Sequence, residues 1–227
     1  MTAEIDWLDA FPIRPATEAV EALCESWHML ARLPGFHAGK REPELTRMLK
    51  THIEGVTARS RGLLGMWAAE NVINLIDPET AELKEERRTD IVYGWNDATT
   101  GIQLVFEFKK VDRRARSRQQ YLGENGLGRF VNGMYSCKQA VAAMVGVLTD
   151  PAEKVVPALL KGLSDAGTVS ALRLRPCASG RSYDQPSLLF AAADFDTEHE
   201  RPPEMAPAHG TIRIAHLFLA LERRAAS

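Results

Sequence analysis

The sequence lacks the features that mark secreted and membrane-spanning proteins. Its three cysteines, Cys24, Cys137 and Cys177, lie far apart without a CxxC spacing or a Cys/His cluster, which argues against a disulfide framework and a structural zinc site. It has no apolar run near the length that crosses a bilayer, and its first residues are acidic rather than signal-like. We therefore expect a cytoplasmic protein without a membrane partner, in which the cysteines are buried thiols.

The chain also lacks a strong excess of charge of either sign. Its formal net charge is −2 and 45% of its residues are hydrophobic, so the composition indicates a globular protein and does not by itself point to nucleic acid. No internal repeat or long flexible linker divides the 227 residues. We expect one domain over residues 1–227, with an N-terminal helical region at 1–40, a core at 41–150 and a C-terminal extension at 151–227.

Two predicted strands carry charged residues at fixed positions. Residues 88–93 and 104–110 are separated by a polar loop, which predicts a β-hairpin with Asp90 on its first strand. Because successive side chains of a strand point to opposite faces, Glu107 and Lys109 share one face of the second strand, opposite its phenylalanines. Ionised groups among apolar neighbours are costly unless they pair, bind a metal ion or meet a ligand, so this placement predicts a site.

An acid on one strand followed by Glu-x-Lys on the next resembles the signature of the PD-(D/E)XK nuclease superfamily. Asp90 matches the first acid, Glu107 the second and Lys109 the lysine, while Thr89 stands where the motif name has proline. The resemblance covers residues from about 42 to 148. It implies an α/β protein with the restriction-endonuclease-like αβββαβ core, in which helices flank a mixed sheet, followed here by a C-terminal α/β extension.

The resemblance also implies a reaction. It implies a nuclease that depends on Mg²⁺, with Mn²⁺ as a substitute, and hydrolyses phosphodiester bonds of nucleic acid, with DNA as the expected substrate. Asp90, Glu107 and the backbone carbonyl of Phe108 would hold the ion. Lys109 would position or help to deprotonate the attacking water and offset the charge that develops on the phosphate. In-line attack would leave a 5′-phosphate.

A helix that is predicted to begin at Glu42-Pro43 offers further acids. In the superfamily, the helix before the first core strand often contributes an additional acid to the metal site, and either Glu42 or Glu44 could have that catalytic role. Residues 42–46 are similar to the Glu-x-x-x-Thr start of some of these nucleases. Acids in a first turn are also favoured by the helix dipole alone, so both interpretations of these residues stay open.

A run of basic residues follows the second strand and contains a single acid, Asp112. The run is well placed to neutralise phosphates that flank a scissile bond. A solvated helix face is the competing interpretation and has equal weight. The expected nucleic-acid-binding residues are Lys110, Arg113, Arg114, Arg116 and Arg118.

Hydrophobic periodicity and turn residues predict the rest of the secondary structure. Residues 63–76 are apolar but fit a helix and a strand equally well, and residues 77–80 predict a turn. The other predicted helices are 16–33, 121–143 and 155–163, and the other predicted strands are 144–148, 170–174 and 187–193.

A second, shorter resemblance concerns the segment 128–135 together with 144–148, which resembles segments of bacterial defence-associated nucleases. We predict Arg129 in this segment to be a surface helix residue rather than a phosphate contact. Further along, His199 and Arg201 are suitable donors to nucleic acid, but the simpler prediction is that they cap a solvated strand end. Because no recognition domain is evident, we expect an effector of anti-phage defence or restriction, with a protein partner that supplies target recognition or activation.

Three alternatives to this assignment stay open. Glu107 and Lys109 could form an ordinary ion pair on a solvated face, with Asp90 a strand-entry residue. The chain could instead be a noncatalytic nucleic-acid-binding or assembly subunit on a nuclease-like scaffold, or a metal-free interaction protein in which the hairpin is structural. For a nuclease, paired cuts in duplex DNA would favour a homodimer.

Overall fold

The structure, a computed structural model of the chain, describes residues 7–76, 83–98 and 100–221. They form one six-stranded sheet with helices on both faces. The helices are α1 (Trp7–Ala10), α2 (Ile13–Ala31), α3 (Glu42–His52), α4 (Ala58–Arg61), α5 (Ala115–Leu122), α6 (Leu127–Val131), α7 (Ala152–Leu163) and α8 (Ala166–Ala171), with a π-helical turn at Ile53–Thr57. The strands are β1 (Met66–Ile76), β2 (Leu83–Asn96), β3 (Gly101–Val111), β4 (Val141–Leu148), β5 (Phe195–Glu200) and β6 (Thr211–Ala220).

The sheet is mixed and has the strand order β1-β2-β3-β4-β6-β5. The first three strands form an antiparallel meander, and β5 is antiparallel to β6. β4 is parallel to both β3 and β6. Parallel neighbours need a crossover connection, which α5 and α6 supply between β3 and β4. The prediction of an α/β protein with a mixed sheet flanked by helices is therefore confirmed.

Two hydrophobic cores lie on opposite faces of this sheet. On β3, Phe106 and Phe108 belong to the core that contains Trp27 of α2, whereas Val105 belongs to the core that contains Tyr121 of α5. β4 is buried at every position, because helices cover it on both faces, and this explains its unbroken apolar sequence. The charged residues of β3 are consequently enclosed by packed elements.

The C-terminal strands complete the same sheet. β6 lies between β4 and β5, and its residues from Arg213 to Ala220 pair with β4 from Val141 to Leu148. The indole Nε1 of Trp27 donates a hydrogen bond to the carbonyl of Ala220 at 2.9 Å. The chain after residue 151 is thus joined both to the sheet and to the N-terminal helix that covers it.

The predicted helix at 121–143 is wrong. Only α5 and α6 occupy its first part, and β4 already begins at Val141. Gly126 lies between the two helices, and a Cβ atom there would be 2.1 Å from the carbonyl oxygen of Tyr121. Only glycine permits so close an approach of two backbone segments, so the chain turns where a continuous helix was expected.

The predicted strands at 170–174 and 187–193 are also wrong. In the first region, residues 170 and 171 end the helix α8, and the rest is a turn that finishes in an isolated bridge between Leu174 and His199. Asp165 caps α8 by accepting the N–H of Thr168 at 3.1 Å. The second forms no helix or strand. The carboxylate of Asp196 accepts the backbone N–H groups of residues 188 and 189, which a strand would donate to its neighbour.

The remaining expectations have mixed outcomes. The ambiguous segment 63–76 contains the strand β1, and the predicted helices 16–33 and 155–163 are confirmed as α2 and α7 with shifted ends. The turn predicted at 77–80 lies outside the described residues. Cys137 is exposed, so the prediction of buried thiols is wrong for that residue. Within the described ranges, no helix is long and apolar enough to cross a membrane.

Candidate active site

The hairpin of β2 and β3 places Asp90 next to the end of its paired region. The paired residues of the hairpin run from Ile91 opposite Phe106 to Asn96 opposite Gly101, next to the loop. Asp90 lies one residue before this paired region in β2. Its side chain continues the pairing, because Oδ2 accepts the backbone N–H of Phe108 at 2.8 Å. The predicted hairpin is confirmed, and the Asp90 carboxylate is fixed against the backbone of the strand that carries Glu107 and Lys109.

Glu107 and Lys109 form a close ion pair on β3. Nζ of Lys109 is 2.6 Å from Oε1 of Glu107, 3.0 Å from the carbonyl oxygen of Phe108 and 3.5 Å from Oε1 of Glu42. The Glu107 residue is only 1% exposed. The pair therefore does not lie on a solvated face, which removes the simplest alternative for these residues.

The first turn of α3 contributes one of its two acids. Oε2 of Glu42 accepts the backbone N–H of Lys110 at 2.8 Å, and its other oxygen faces Lys109. Glu44 instead closes a capping box at the start of the helix, where Oε2 accepts the backbone N–H of Arg41 at 3.1 Å. The structure thus brings Glu42 to the Glu107 and Lys109 pair and keeps Glu44 away from it.

Arg129 of α6 also reaches Glu107, contrary to the prediction of a surface helix residue. Its Nη1 is 3.3 Å from Oε1 of Glu107 and donates to the hydroxyl of Tyr135. That hydroxyl donates in turn to the carbonyl of Arg88 in β2 at 2.6 Å. Sequence reasoning missed both Arg129 and Tyr135 as site residues, because neither belongs to a spaced motif with the acids. The one available signal was that Arg129 is a basic residue in a glycine-rich segment, between Gly128 and Gly133.

These contacts define what we call the charged cluster: Glu42, Asp90, Glu107, Lys109 and Arg129. Burial is the main cause of its shifted ionisation. Burial raises the pKa of Glu107 to about 8, the charge of Asp90 adds to this, and Lys109 and Arg129 oppose it. Burial also raises the pKa of Asp90 and of Glu42. Such perturbed carboxyl groups, gathered from three elements, are typical of functional sites.

Lys109 keeps its charge in this environment. Burial by itself would lower the pKa of the ammonium group, but the negative charges of Glu107 and Glu42 raise it overall. The cluster therefore contains one buried and two half-buried carboxyl groups and two cations, and both cations contact the same oxygen of Glu107. Its second oxygen, Oε2, is buried and has no hydrogen-bond partner within the described residues.

The absence of a partner for Oε2 of Glu107 within the described residues tests whether a divalent ion fits between Glu107 and Asp90. A buried carboxylate oxygen without a donor is unfavourable unless something else meets it. Asp90 supplies further carboxylate oxygens beside it, and oxygen is the ligand type that Mg²⁺ and Mn²⁺ prefer. The donor set fits such an ion. The Phe108 carbonyl, the third predicted ligand, accepts a hydrogen bond from Lys109.

The cluster is not a preassembled metal cage. Among the residues that the structure describes, no three His, Cys, Asp or Glu side chains are gathered as a metal site. Mg²⁺ does not require one, because it retains several waters and is commonly bound by one or two carboxylates together with substrate phosphates. Asp90 and Glu107 meet that smaller requirement.

The predicted basic run lies on the surface at the start of α5. The side chains of Arg113 and Arg114 are 74% and 76% exposed, and Arg116 is also exposed. Their acidic neighbours are distant: Nε of Arg113 is 3.9 Å from Asp150, and Nε of Arg114 is 3.8 Å from Asp112. Exposed arginines with weak internal partners are available to phosphates, and their role in binding stays a prediction.

Two other members of the predicted basic set make internal contacts. The ammonium group of Lys110 donates to the carbonyls of Ala38 at 2.9 Å and of Lys40. It thereby fixes the segment before α3, next to the Glu42 carboxylate that binds its backbone. Arg118 is half-buried, and its Nη1 donates to the carbonyl of Arg113 at 2.6 Å. Lys110 thus shapes the surroundings of the cluster, whereas Arg118 holds the start of α5.

His199 and Arg201 do not cap a solvated strand end. His199 is fully buried, with Nδ1 2.8 Å from the carbonyl of Leu172. Arg201 is 6% exposed and donates to the carbonyls of Tyr135 and Ser136 at 3.0 and 2.7 Å. That prediction is wrong, because the turn after α8 covers His199, and the loops before β4 and β6 cover Arg201.

Comparisons with protein-family models, with curated proteins and with solved structures found no significant match. The resemblance of Asp90, Glu107 and Lys109 to a nuclease signature stays a prediction. The charged cluster is consequently the basis for assigning a function to this chain.

Proposed function

We propose that this protein is a metal-dependent nuclease of the PD-(D/E)XK superfamily, which hydrolyses phosphodiester bonds of DNA with Mg²⁺ or Mn²⁺. The observation that carries the proposal is the Glu107 carboxyl group, which is buried beside Asp90 with one oxygen bound to Lys109 and the other without a partner. The order of elements from α3 to β4, which is helix, three strands, helices and strand, supports the same superfamily.

In this proposal, Asp90 and Glu107 hold the ion. A divalent ion held there supplies Lewis acidity and lowers the pKa of a bound water. Asp90 is suited to this role because the Phe108 N–H fixes its Oδ2 and orients the carboxylate. Glu107 is suited because a cation that meets Oε2 would favour its ionised form, against the effect of burial.

Lys109 and Glu42 act on the water and the phosphate rather than on the ion. The ammonium group cannot be an oxygen-type ligand, but it can donate to a water and stabilise negative charge on a phosphate. Glu42 lies 3.5 Å from this ammonium group and helps to keep it protonated. Because Glu42 is also fixed by the Lys110 N–H, it holds Lys109 in a defined position.

A purely structural ion cluster explains the geometry less well. Structural buried charges persist when every partner is satisfied, whereas here the second oxygen of Glu107 receives no hydrogen bond from a donor of the described residues, and the neighbouring Asp90 carboxyl group can bond to it only when one of the two groups is protonated. The raised pKa values of all three carboxyl groups also oppose folding at neutral pH. The predicted defence or restriction setting, with a partner that supplies target recognition, draws no support from the cluster and stays a prediction.

Cleavage assays on the purified full chain test the proposal. Supercoiled plasmid, linear duplex DNA, single-stranded DNA and RNA are incubated with Mg²⁺, Mn²⁺ or EDTA. We expect metal-dependent cleavage that falls by about 100-fold or more in Asp90→Asn and in Lys109→Met. Lys161→Met changes an exposed lysine of α7 outside the charged cluster, and this matched control should retain activity.

Calorimetric titration with Mn²⁺ and thermal melting accompany these assays. Asp90→Asn is expected to lose Mn²⁺ binding while its melting temperature stays within a few degrees of that of the parent chain. Cleavage that is indifferent to both variants would contradict the proposed site. A folded protein that binds Mn²⁺ through Asp90 yet cuts none of the substrates would favour the noncatalytic nucleic-acid-binding alternative, and absent Mn²⁺ binding would favour a metal-free interaction protein.

A further inference from the structure

Arg129 is held in place by two hydrogen bonds and a ring contact to one tyrosine. Its backbone carbonyl accepts the N–H of Tyr135 at 3.0 Å, and its Nη1 donates to the hydroxyl of the same residue. The guanidinium carbon also lies 5.3 Å from the centre of the Tyr135 ring. Because the hydroxyl donates to the Arg88 carbonyl, this arrangement connects α6 to β2 just before Asp90. Arg129 is therefore a positioned cation rather than a mobile surface side chain.

Only one nitrogen of the Arg129 guanidinium is used by these contacts. Nη1 faces Glu107 and Tyr135, whereas Nε and Nη2 make no hydrogen bond within the described residues. The side chain is 32% exposed, compared with 16% for Lys109 and 2% for Glu107. Arg129 is therefore the more accessible cation of the charged cluster, and its unused edge can be reached from solvent.

The unused edge has the chemistry of a phosphate ligand. The Nε and Nη2 hydrogens of arginine point in one direction and can bind two oxygens of a phosphate together. Lys109 and Arg129 both contact Oε1 of Glu107, so the two cations lie next to this oxygen. A phosphate at that point would lie close to the guanidinium of Arg129 as well as to the ammonium group of Lys109.

We propose that Arg129 is a catalytic residue that binds the non-bridging oxygens of the scissile phosphate through Nε and Nη2, while Nη1 stays on Glu107 and Tyr135. This inference rests on the proposed nuclease function and adds a residue to its site. Tyr135 is a positioning residue, since it holds the guanidinium and does not itself touch the phosphate. The contact offsets charge that develops on the phosphate during hydrolysis.

Arginine variants test the proposal with two readouts. In Arg129→Met, we expect the turnover rate to fall about 100-fold or more, because one charged donor to the transition state is removed. Affinity for a short DNA duplex in EDTA, measured by fluorescence anisotropy, should fall roughly tenfold because a charge-assisted hydrogen bond is lost. Arg129→Lys keeps the charge but not the paired donors, so we expect an intermediate loss of turnover.

The chain offers a matched control elsewhere. Arg181 lies 4.9 Å from the ring centre of Tyr183 and donates to Ser179 and to the carbonyl of Gln185, outside the charged cluster. Arg181→Met and Tyr183→Phe should leave turnover and duplex affinity unchanged. Tyr135→Phe removes only the hydroxyl that anchors Arg129, so it should lower turnover less than Arg129→Met does. In a separate experiment, millimolar guanidinium added to Arg129→Ala should restore part of the activity, because it replaces the missing group.

The outcomes separate this inference from the function on which it rests. A parent chain that neither cleaves nucleic acid nor binds Mn²⁺ overturns both. A parent chain that cleaves, with Arg129→Met within threefold of it in turnover and in duplex affinity, overturns only the role of Arg129. A loss of turnover that merely follows a loss of Mn²⁺ affinity or of melting temperature shows that Arg129 supports Glu107 and likewise overturns the phosphate contact.

Discussion

Opposing electrostatic effects act on the protonation of the Glu107 carboxyl group. Burial and the charge of Asp90 favour its protonated form, whereas Lys109 and Arg129 favour its ionised form through a single oxygen. A cation at the other oxygen would shift the balance to the ionised form. The residue is therefore unfavourable for the stability of the protein alone and useful for binding a ligand, as expected of a functional site.

Glu107→Gln should change how stability depends on pH. The folded-state pKa of about 8 exceeds the ordinary value of 4.5, so the folded protein binds more protons than the unfolded chain between these pH values. The stabilising contribution is complete below pH 4.5 and is lost as pH rises through 8, with a slope of at most about 1.4 kcal/mol per pH unit. We expect the variant to lack this decline.

Urea unfolding in EDTA at pH 5 and pH 8 measures the difference. The parent chain should lose stability relative to Glu107→Gln between the two pH values. Glu124→Gln, a change at an exposed glutamate, should follow the parent chain. Equal pH dependence in Glu107→Gln and the parent chain would show that Glu107 ionises normally.

At the scale of secondary-structure elements, the basic start of α5 is the feature that most bears on nucleic acid. Replacing Arg113, Arg114 and Arg116 together by alanine should weaken DNA binding, because exposed cations next to the proposed site are removed. The salt dependence should become shallower, by roughly 0.9 in the log–log slope for each phosphate contact that is lost.

Duplex affinity in EDTA over a range of salt concentrations checks this expectation. A triple alanine variant of Arg14, Arg32 and Arg59, which are exposed arginines on and near α2 and α4, is the control and should bind like the parent chain. An unchanged slope in the α5 variant would identify its arginines as an ordinary solvated face.

A buried hydrogen-bond network joins β5, β6 and α5. Nδ1 of His199 must donate to the Leu172 carbonyl, so Nε2 accepts from the Thr197 hydroxyl at 2.7 Å. The oxygen of the Thr197 hydroxyl accepts a hydrogen bond from Nε2 of His216 at 2.9 Å. Nδ1 of His216 then accepts a hydrogen bond from the hydroxyl of Tyr121 at 2.8 Å. Every polar atom of this chain of contacts is satisfied only while both histidines are neutral.

Acid should therefore destabilise these strands. Burial lowers the pKa of His199 to about 4 and that of His216 well below 6.5. Below pH 6.5 the unfolded chain takes up protons that the folded protein does not, so stability falls as pH drops towards 4. His199→Gln should make the fall shallower by up to about 1.4 kcal/mol per pH unit, because one titrating group is removed.

Urea unfolding between pH 4 and pH 7 provides the measurement. His28→Gln, which changes an exposed histidine of α2, should reproduce the slope of the parent chain. If His199→Gln keeps the full slope of the parent chain, the acid sensitivity arises elsewhere and not from this histidine.

At the scale of the whole molecule, the strand order makes the C-terminal region part of the centre. β4 is buried at every position and has β3 on one side and β6 on the other. A chain that ends at residue 150 would lose β6, β5 and α7, and would expose one edge and one face of β4. We expect this truncated chain to be unfolded or aggregated, although it contains all five residues of the charged cluster.

Far-UV circular dichroism, urea unfolding and limited proteolysis of residues 1–150 check this prediction against the full chain. A protease-resistant fragment with a cooperative unfolding transition would show that residues 151–221 form a separate domain. The expected loss of structure would support one domain, as the absence of a long linker predicts.

The sequence by itself determined the features that depend on near neighbours. The alternation of side chains along β3 places Glu107 and Lys109 on one face, and Glu42-Pro43 marks the start of α3, as the structure has them. These patterns are readable because strand alternation and helix starts are set by residues a few positions apart. The hairpin and the three residues of the nuclease-like signature could be predicted for the same reason.

Only the tertiary structure decided which other residues join the cluster. Glu42 and Glu44 are indistinguishable in sequence, and the packing of α3 brings only Glu42 to Lys109, 67 positions away along the chain. Arg129 reaches Glu107 because the turn at Gly126 and the contacts of Tyr135 set the direction of α6. Such contacts depend on the relative placement of whole elements, which no local pattern encodes, and this is why the sequence alone placed Arg129 on the surface.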